Sequence, residues 1–197
     1  MLRDYVFVLL FSFPLFFFVL QDIYNEKKIK NKTLSFILFG NIFLFGYFLF
    51  GLLWISSAFD YREGFAELKF ISIFGLPFLL CLITTPGWIL TAFLWGKGLH
   101  GCFALSAGII TGEFLRSYLF SGFPWNLFGH SIGFNDFSMQ VGSIFGFHLS
   151  GFFVILFSLA PILFLKRSTL KWGIIFSLIL PVCMMYGYFR LPSEIKY

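Results

Sequence analysis

Glu113 and Arg116 stand inside a run, Thr111–Ser131, that reads T-G-E-F-L-R-S-Y-L-F-S-G-F-P-W-N-L-F-G-H-S and is otherwise without acidic or basic side chains apart from His130. Three positions apart on a helix, they share a face and can pair. A carboxylate held within hydrocarbon costs on the order of a few kcal/mol, so an ionisable group at that depth is a candidate for function. The competing reading is a structural ion pair that pins this helix to a neighbour, and the residues alone leave the two balanced. With a helix beginning at Leu99, Glu113 lies roughly 21 Å along it, in the outer half of a membrane. Arg116 is then expected to reach the outer headgroups.

Gly122-Phe123-Pro124-Trp125-Asn126 follows at once. Aromatic rings at an interface often only anchor a protein in the headgroup layer. A Gly and a Pro bracketing aromatics also suit a shaped loop lining an entrance for a lipid or acyl chain. The candidates for lipid or substrate access are therefore Glu113, Arg116, Phe123, Pro124, Trp125 and Asn126. His100, His130 and His148 are scattered, and nothing in their spacing suggests a metal. Cys81, Cys102 and Cys183 lie in or beside apolar stretches with no CxxC pair, so they are expected to pack as small hydrophobes. No Ser-His-Asp set, phosphate-cradling glycine loop or paired-carboxylate constellation can be assembled, and neither cofactor nor metal is expected. Asn41, Thr84, Thr85 and His148 are too sparse for an ion or proton relay.

The elements that must position these residues are written in the composition. Of 197 residues, 59% are hydrophobic and 12% charged, half the roughly 25% of charged residues in an ordinary globular domain. The 33 Phe residues suit a surface that faces lipid. The net charge of +5 does not indicate nucleic acid, because Lys and Arg fall in short runs between apolar segments. Those segments predict an all-α membrane protein, a bundle of about six transmembrane helices in one domain over residues 1–197. The helices are expected near 5–20, 34–57, 70–95, 98–120, 137–165 and 172–189, since a span needs about 20 apolar residues. The first reads as a retained helix, because Gln21-Asp22-Ile23-Tyr24 offers no small-residue cleavage site. Lys27, Lys28, Lys30, Lys32, Lys97, Lys166, Arg167 and Lys171 fall on one side, outnumbering Arg3, Arg62, Arg190 and Lys196 on the other. Basic loops stay in the cytoplasm, which puts both termini and the loop 121–136 in the periplasm. Pro14, Pro77, Pro86, Pro161 and Pro181 are expected to kink their helices. Ala104, Gly108 and Gly112 form one row of small residues and Gly142, Gly146 and Ser150 another, as in close helix packing.

The run Gly112-Glu113-Phe114-Leu115-Arg116, with Gly122-Phe123-Pro124-Trp125-Asn126-Leu127-Phe128-Gly129, resembles the E-x-L-R … G-F-P-W-x-x-x-G signature of bacterial apolipoprotein N-acyltransferases. Phe45–Ile55 is similar to the third helix of that family, and Gln140–Gly146 to the segment entering its sixth. The resemblance implies an enzyme of the bacterial inner (cytoplasmic) membrane, multi-pass, acting in lipoprotein biosynthesis. Its partners would be a membrane phospholipid and a lipoprotein substrate, and it would transfer a fatty acyl chain to the lipoprotein's N-terminal diacylglyceryl-cysteine. It further implies a thioacyl-enzyme formed on a nitrilase-like domain with a Glu-Lys-Cys triad. Against that pattern the chain is expected to be truncated, lacking that domain and one leading helix, with no catalytic residue of its own. It would then be inactive alone and served by a separately encoded nitrilase-like domain. A non-functional gene remnant and a small unrelated transporter are the alternatives.

Overall fold

Lipid offers no hydrogen bonds to the backbone, so each N–H and C=O of a spanning segment must be satisfied within its own element. The computed structural model describes residues 6–61 and 66–192, and among these residues there is no strand. In chain order the helices are α1 (Val6–Asn25), α2 (Lys32–Gly51), α3 (Leu53–Ser56), α4 (Ala66–Phe70), α5 (Leu76–Leu94), α6 (Leu99–Tyr118), α7 (Asp136–Met139), α8 (Gly142–Ser158), α9 (Ala160–Leu163), α10 (Leu170–Ser177) and α11 (Ile179–Arg190). A π-helical turn, Ile71–Gly75, joins α4 to α5, and a 3-10 helix, Phe128–Phe134, lies between α6 and α7. Four segments are long and apolar enough to cross a membrane: Val8–Asn25, Lys32–Gly51, Leu68–Leu94 and Arg167–Arg190. Phe11, Phe50, Phe93 and Phe189 point outward from the bundle. Such a surface is compatible with lipid tails and not with water. The chain is an all-helical membrane protein.

Helix boundaries differ from the hydropathy runs where the backbone has its own constraints. The stretch 137–165 is three helices. Gly146 takes φ +66° and ψ 176° within α8, a conformation open essentially to glycine alone. Gly142, Gly146 and Ser150 therefore do not form one continuous helical row. The stretch 172–189 divides at Leu178, just before Pro181, and α8 gives way to α9 at Leu159, just before Pro161. A proline lacks the N–H that would bond four residues back, and its ring crowds that carbonyl. Ahead of Pro77 the same conflict is met by the π turn, where the Leu76 N–H reaches back to the Ile71 carbonyl. Pro14 and Pro86, by contrast, sit inside helices that continue past them.

The row Ala104, Gly108, Gly112 on α6 is buried against α5. A Cβ on Gly87 of α5 would lie 2.2 Å from the Gly108 carbonyl oxygen, so the two backbones touch. On the other side of α5, the Trp88 ring covers Gly40 of α2 and meets Phe16 of α1 edge-on at 5.7 Å. Trp95, at the end of α5, packs on Phe17 of α1 and Phe36 of α2, with ring centroids 5.2 and 5.0 Å apart. This gathers the basic loop after α1 and the Lys97 turn at one end of the bundle. Thr169, beside Gly98, brings the Lys166–Lys171 loop to that same end. The segment after α6 lies at the other.

Candidate functional site

α6 carries Glu113 and Arg116 towards the end of the bundle opposite the basic loops, and both side chains are buried, at 2% and 0% exposure. Arg116 does not extend outward from the bundle, against the expectation from sequence. Its guanidinium turns inward, where the loop that follows α6 supplies the acceptors. Nη1 donates to the carbonyls of Phe123 (2.8 Å) and Trp125 (2.6 Å), and Nη2 to that of Asn126 (2.8 Å). The planar, multi-donor fork of arginine suits three carbonyls on one turn, which the point charge of a lysine would not. Phe48 of α2 lies beneath the guanidinium, its ring centre 5.0 Å from Cζ.

Glu113 secures the next part of the same loop. Its Oε1 accepts the Phe128 N–H at 2.8 Å and faces Arg116 Nη2 at a longer 3.5 Å. The two charged residues thus hold a loop between them, the arginine by its carbonyls and the glutamate by the N–H that opens the 3-10 helix. Burying charges in this way is tolerable because each is paired and hydrogen-bonded. Glu113 Oε2 and Arg116 Nε have no partner among the described residues.

The loop's own residues are chosen by backbone geometry. Gly122 has φ +79°, and its N–H bonds to the Leu119 carbonyl as the chain turns back; the Phe123 N–H then reaches the Arg116 carbonyl at 2.7 Å. Asn126 is left-handed (φ +57°), a region that asparagine tolerates better than most residues. Its side chain is buried against Gly51, where a Cβ would come 2.1 Å from the Asn126 amide nitrogen. Gly129 closes the motif because a Cβ there would lie 1.8 Å from the Phe147 carbonyl oxygen of α8. Within a motif of this kind, Gly122, Gly129 and the arginine therefore serve one shape.

That shape sends Trp125 outward. The ring is 57% exposed and meets Trp54 of α3, itself 55% exposed, edge-on at 5.9 Å. Pro124 is also exposed and Phe123 half-buried. The six residues singled out from sequence are thus brought together, but they divide into buried clamp (Glu113, Arg116, Asn126) and outward surface (Pro124, Trp125), with Phe123 between. Sequence reasoning missed the partners on α2 and α3. Tyr47 stacks on Phe128 at 4.2 Å, Phe48 supports the guanidinium, Gly51 admits Asn126, and Trp54 pairs with Trp125. Their signal was the four-residue step from Tyr47 to Gly51, which puts both on the side of α2 that faces the loop. Ser117 and His148 form a further contact across α6 and α8, Oγ to Nε2 at 3.1 Å.

A sequence model of the apolipoprotein N-acyltransferase N-terminal domain matches residues 2–160, which take in the whole clamp and loop. The chain belongs to the apolipoprotein N-acyltransferase N-terminal-domain family. It is similar to the apolipoprotein N-acyltransferases of Sinorhizobium fredii (29% identical over 184 residues), Allorhizobium ampelinum (31% over 189) and Rickettsia prowazekii (30% over 197). These alignments cover 91%, 93% and 98% of the chain, but only 35%, 35% and 39% of those relatives. The chain therefore spans little more than a third of the length of the N-acyltransferases it matches. No solved structure matches it.

Proposed function

We propose that this chain serves as the membrane domain of an apolipoprotein N-acyltransferase, an enzyme that moves a fatty acyl chain from a phospholipid to the N-terminal diacylglyceryl-cysteine of a lipoprotein. Its part is to present the Trp125 loop as the surface over which lipid approaches. The observation that carries this reading is the grip of Arg116 on the carbonyls of Phe123, Trp125 and Asn126, which fixes the loop backbone and leaves the Trp125 ring outside against Trp54. An amphipathic ring held at the end of a helix bundle belongs at the depth where acyl chains meet headgroups. Glu113 and Arg116 are positioning residues in this scheme and do no covalent chemistry. The acyl transfer itself falls to a nitrilase-like domain, carried with these helices or supplied on a separate chain. The helices would cross the bacterial inner membrane several times, basic loops in the cytoplasm, with both termini and the Trp125 loop in the periplasm.

Complementation tests it. The chain is co-expressed with a separately encoded nitrilase-like domain in cells depleted of their own enzyme, and N-acylation of a reporter lipoprotein is read by mass spectrometry. Acylation is expected to need both chains and to drop with Trp125→Ala. That variant should stay folded, because an exposed ring contributes little to stability. Acylation that persists without this chain, or is unmoved by Trp125→Ala, would sink the assignment.

A further inference from the structure

The clamp and its loop leave unused a second feature of the same end of the bundle. α8 and α11 touch, but leave a gap between them over part of their length. Between them runs an apolar groove of about 290 Å³, lined by Val141, Ile144, Phe145 and Phe153 on one side and by Ile179, Val182, Cys183 and Tyr186 on the other. Its shape has two backbone causes. Gly146 turns the chain between Phe145 and Phe147 through its left-handed conformation, and nothing lies within 4 Å of where its Cβ would be, so conformation and not space demands the glycine. At the polar end, α7 and α11 are pressed together, because a Cβ on Gly187 would lie 1.8 Å from the Phe137 carbonyl oxygen.

Arg190 stands at that closed end. It lies four residues beyond Tyr186, and so on the groove-facing side of α11 one turn further along. Its Nη1 donates to the carbonyl (3.3 Å) and side-chain oxygen (3.1 Å) of Gln140, and to the Ser143 hydroxyl. Gln140 and Ser143 immediately precede the groove residues Val141 and Ile144. The guanidinium is thus fixed in place yet exposed, with Nη2 and Nε making no hydrogen bond among the described residues.

We propose that this groove is a phospholipid-binding site, with one acyl chain lying between α8 and α11 and the headgroup phosphate held by Arg190. A cation whose remaining planar donors make no hydrogen bond among the described residues, beside a hydroxyl, matches a phosphate, the chemistry for which arginine is suited. A packing helix is the rival occupant of such a groove. Helix interfaces in lipid are enriched in small residues, whereas these walls are Val, Ile, Phe and Tyr, with Cys183 the one small side chain. Flexible methylenes fill such a wall, from which bulky side chains hold a second backbone at a distance. The site is separate from the Trp125 loop, and it stands whether or not the chain takes part in acyl transfer.

The test uses the full chain, purified in detergent and stripped of lipid. It is titrated with phosphatidylglycerol, and separately with a diacylglycerol of the same chains, and complexes are counted by native mass spectrometry. One phosphatidylglycerol per chain is expected, bound in preference to diacylglycerol. Arg190→Gln should weaken phosphatidylglycerol roughly five-fold and leave diacylglycerol unchanged, with Arg190→Lys, which keeps the charge but not the planar donors, recovering only part of the loss. Val182→Trp, which fills the groove without touching Arg190, should remove both lipids. Equal binding of the two lipids, or phosphatidylglycerol binding indifferent to both Arg190→Gln and Val182→Trp, overturns the proposal. So does a dimer that Val182→Trp dissolves, which would make the occupant a second copy of the chain.

Discussion

Replacing Arg116 with methionine keeps much of the side chain's length and removes its charge and all of its donors. Three hydrogen bonds to loop carbonyls are lost, at 2.8, 2.6 and 2.8 Å, together with the longer contact to Glu113. Side-chain hydrogen bonds in membrane proteins average ~0.6 kcal/mol and reach about 1.7, so three contribute roughly 2–5 kcal/mol. Counted instead as a buried ion pair broken from one side, the loss is about 3–5 kcal/mol, because the Glu113 carboxylate is left without its cation. The two estimates overlap, and a destabilisation of about 3–5 kcal/mol is expected for Arg116→Met. Glu113→Gln should cost less, about 1–2 kcal/mol, since the amide oxygen still accepts from Phe128 N–H and Arg116 keeps its three carbonyls. In the double variant no orphaned charge remains, so its cost should fall short of the sum of the singles by ~1 kcal/mol or more. Reversible unfolding in mixed micelles, followed by circular dichroism, gives all three values. Hydrogen exchange should quicken first in the segment 122–134. An Arg116→Met chain within ~1 kcal/mol of the parent, or single costs that simply add, would refute the clamp.

Two further outcomes follow from other parts of the bundle. Gly87→Ala puts a methyl 2.2 Å from the Gly108 carbonyl oxygen, and backbone cannot step aside as a side chain can, so α5 and α6 must separate at a cost of about 1–3 kcal/mol. Gly46→Ala, with nothing within 4 Å of the new methyl, is the matched control and should be neutral or slightly stabilising by the same micelle unfolding assay. Orientation is read by cysteine labelling in a chain cleared of its own thiols: Pro124→Cys should react with an impermeant maleimide added outside the inner membrane, and Lys28→Cys only after lysis. The reverse pattern would invert the proposed topology.

Much of this protein was legible in the amino-acid order. Long apolar runs broken by basic turns can satisfy their backbones only as helices in lipid, which is why the class of fold followed without coordinates. The row Ala104, Gly108, Gly112 announced a close helix contact, and α5 fills it. The E-x-L-R and G-F-P-W runs pointed to the residues that meet at the loop, because they sit close together in the chain and their spacing survives folding.

Tertiary structure decided what those residues do there. Read along one helix, Arg116 had nowhere to go but outward, since the carbonyls that capture it belong to residues seven to ten positions later, past a turn set by Gly122. The support from Tyr47, Phe48, Gly51 and Trp54 comes from helices far away in sequence, and hydropathy, being an average over a window, carries no record of which face meets which neighbour. It is likewise blind to single-residue backbone demands. Gly146, Pro161 and Pro181 lie inside apolar stretches and leave the mean hydropathy untouched, yet Gly146 kinks α8 beside the groove and the helices divide just before the two prolines. Hydrophobicity selects the solvent, while the direction of a chain inside it depends on steric and hydrogen-bonding constraints that only the assembled neighbours impose.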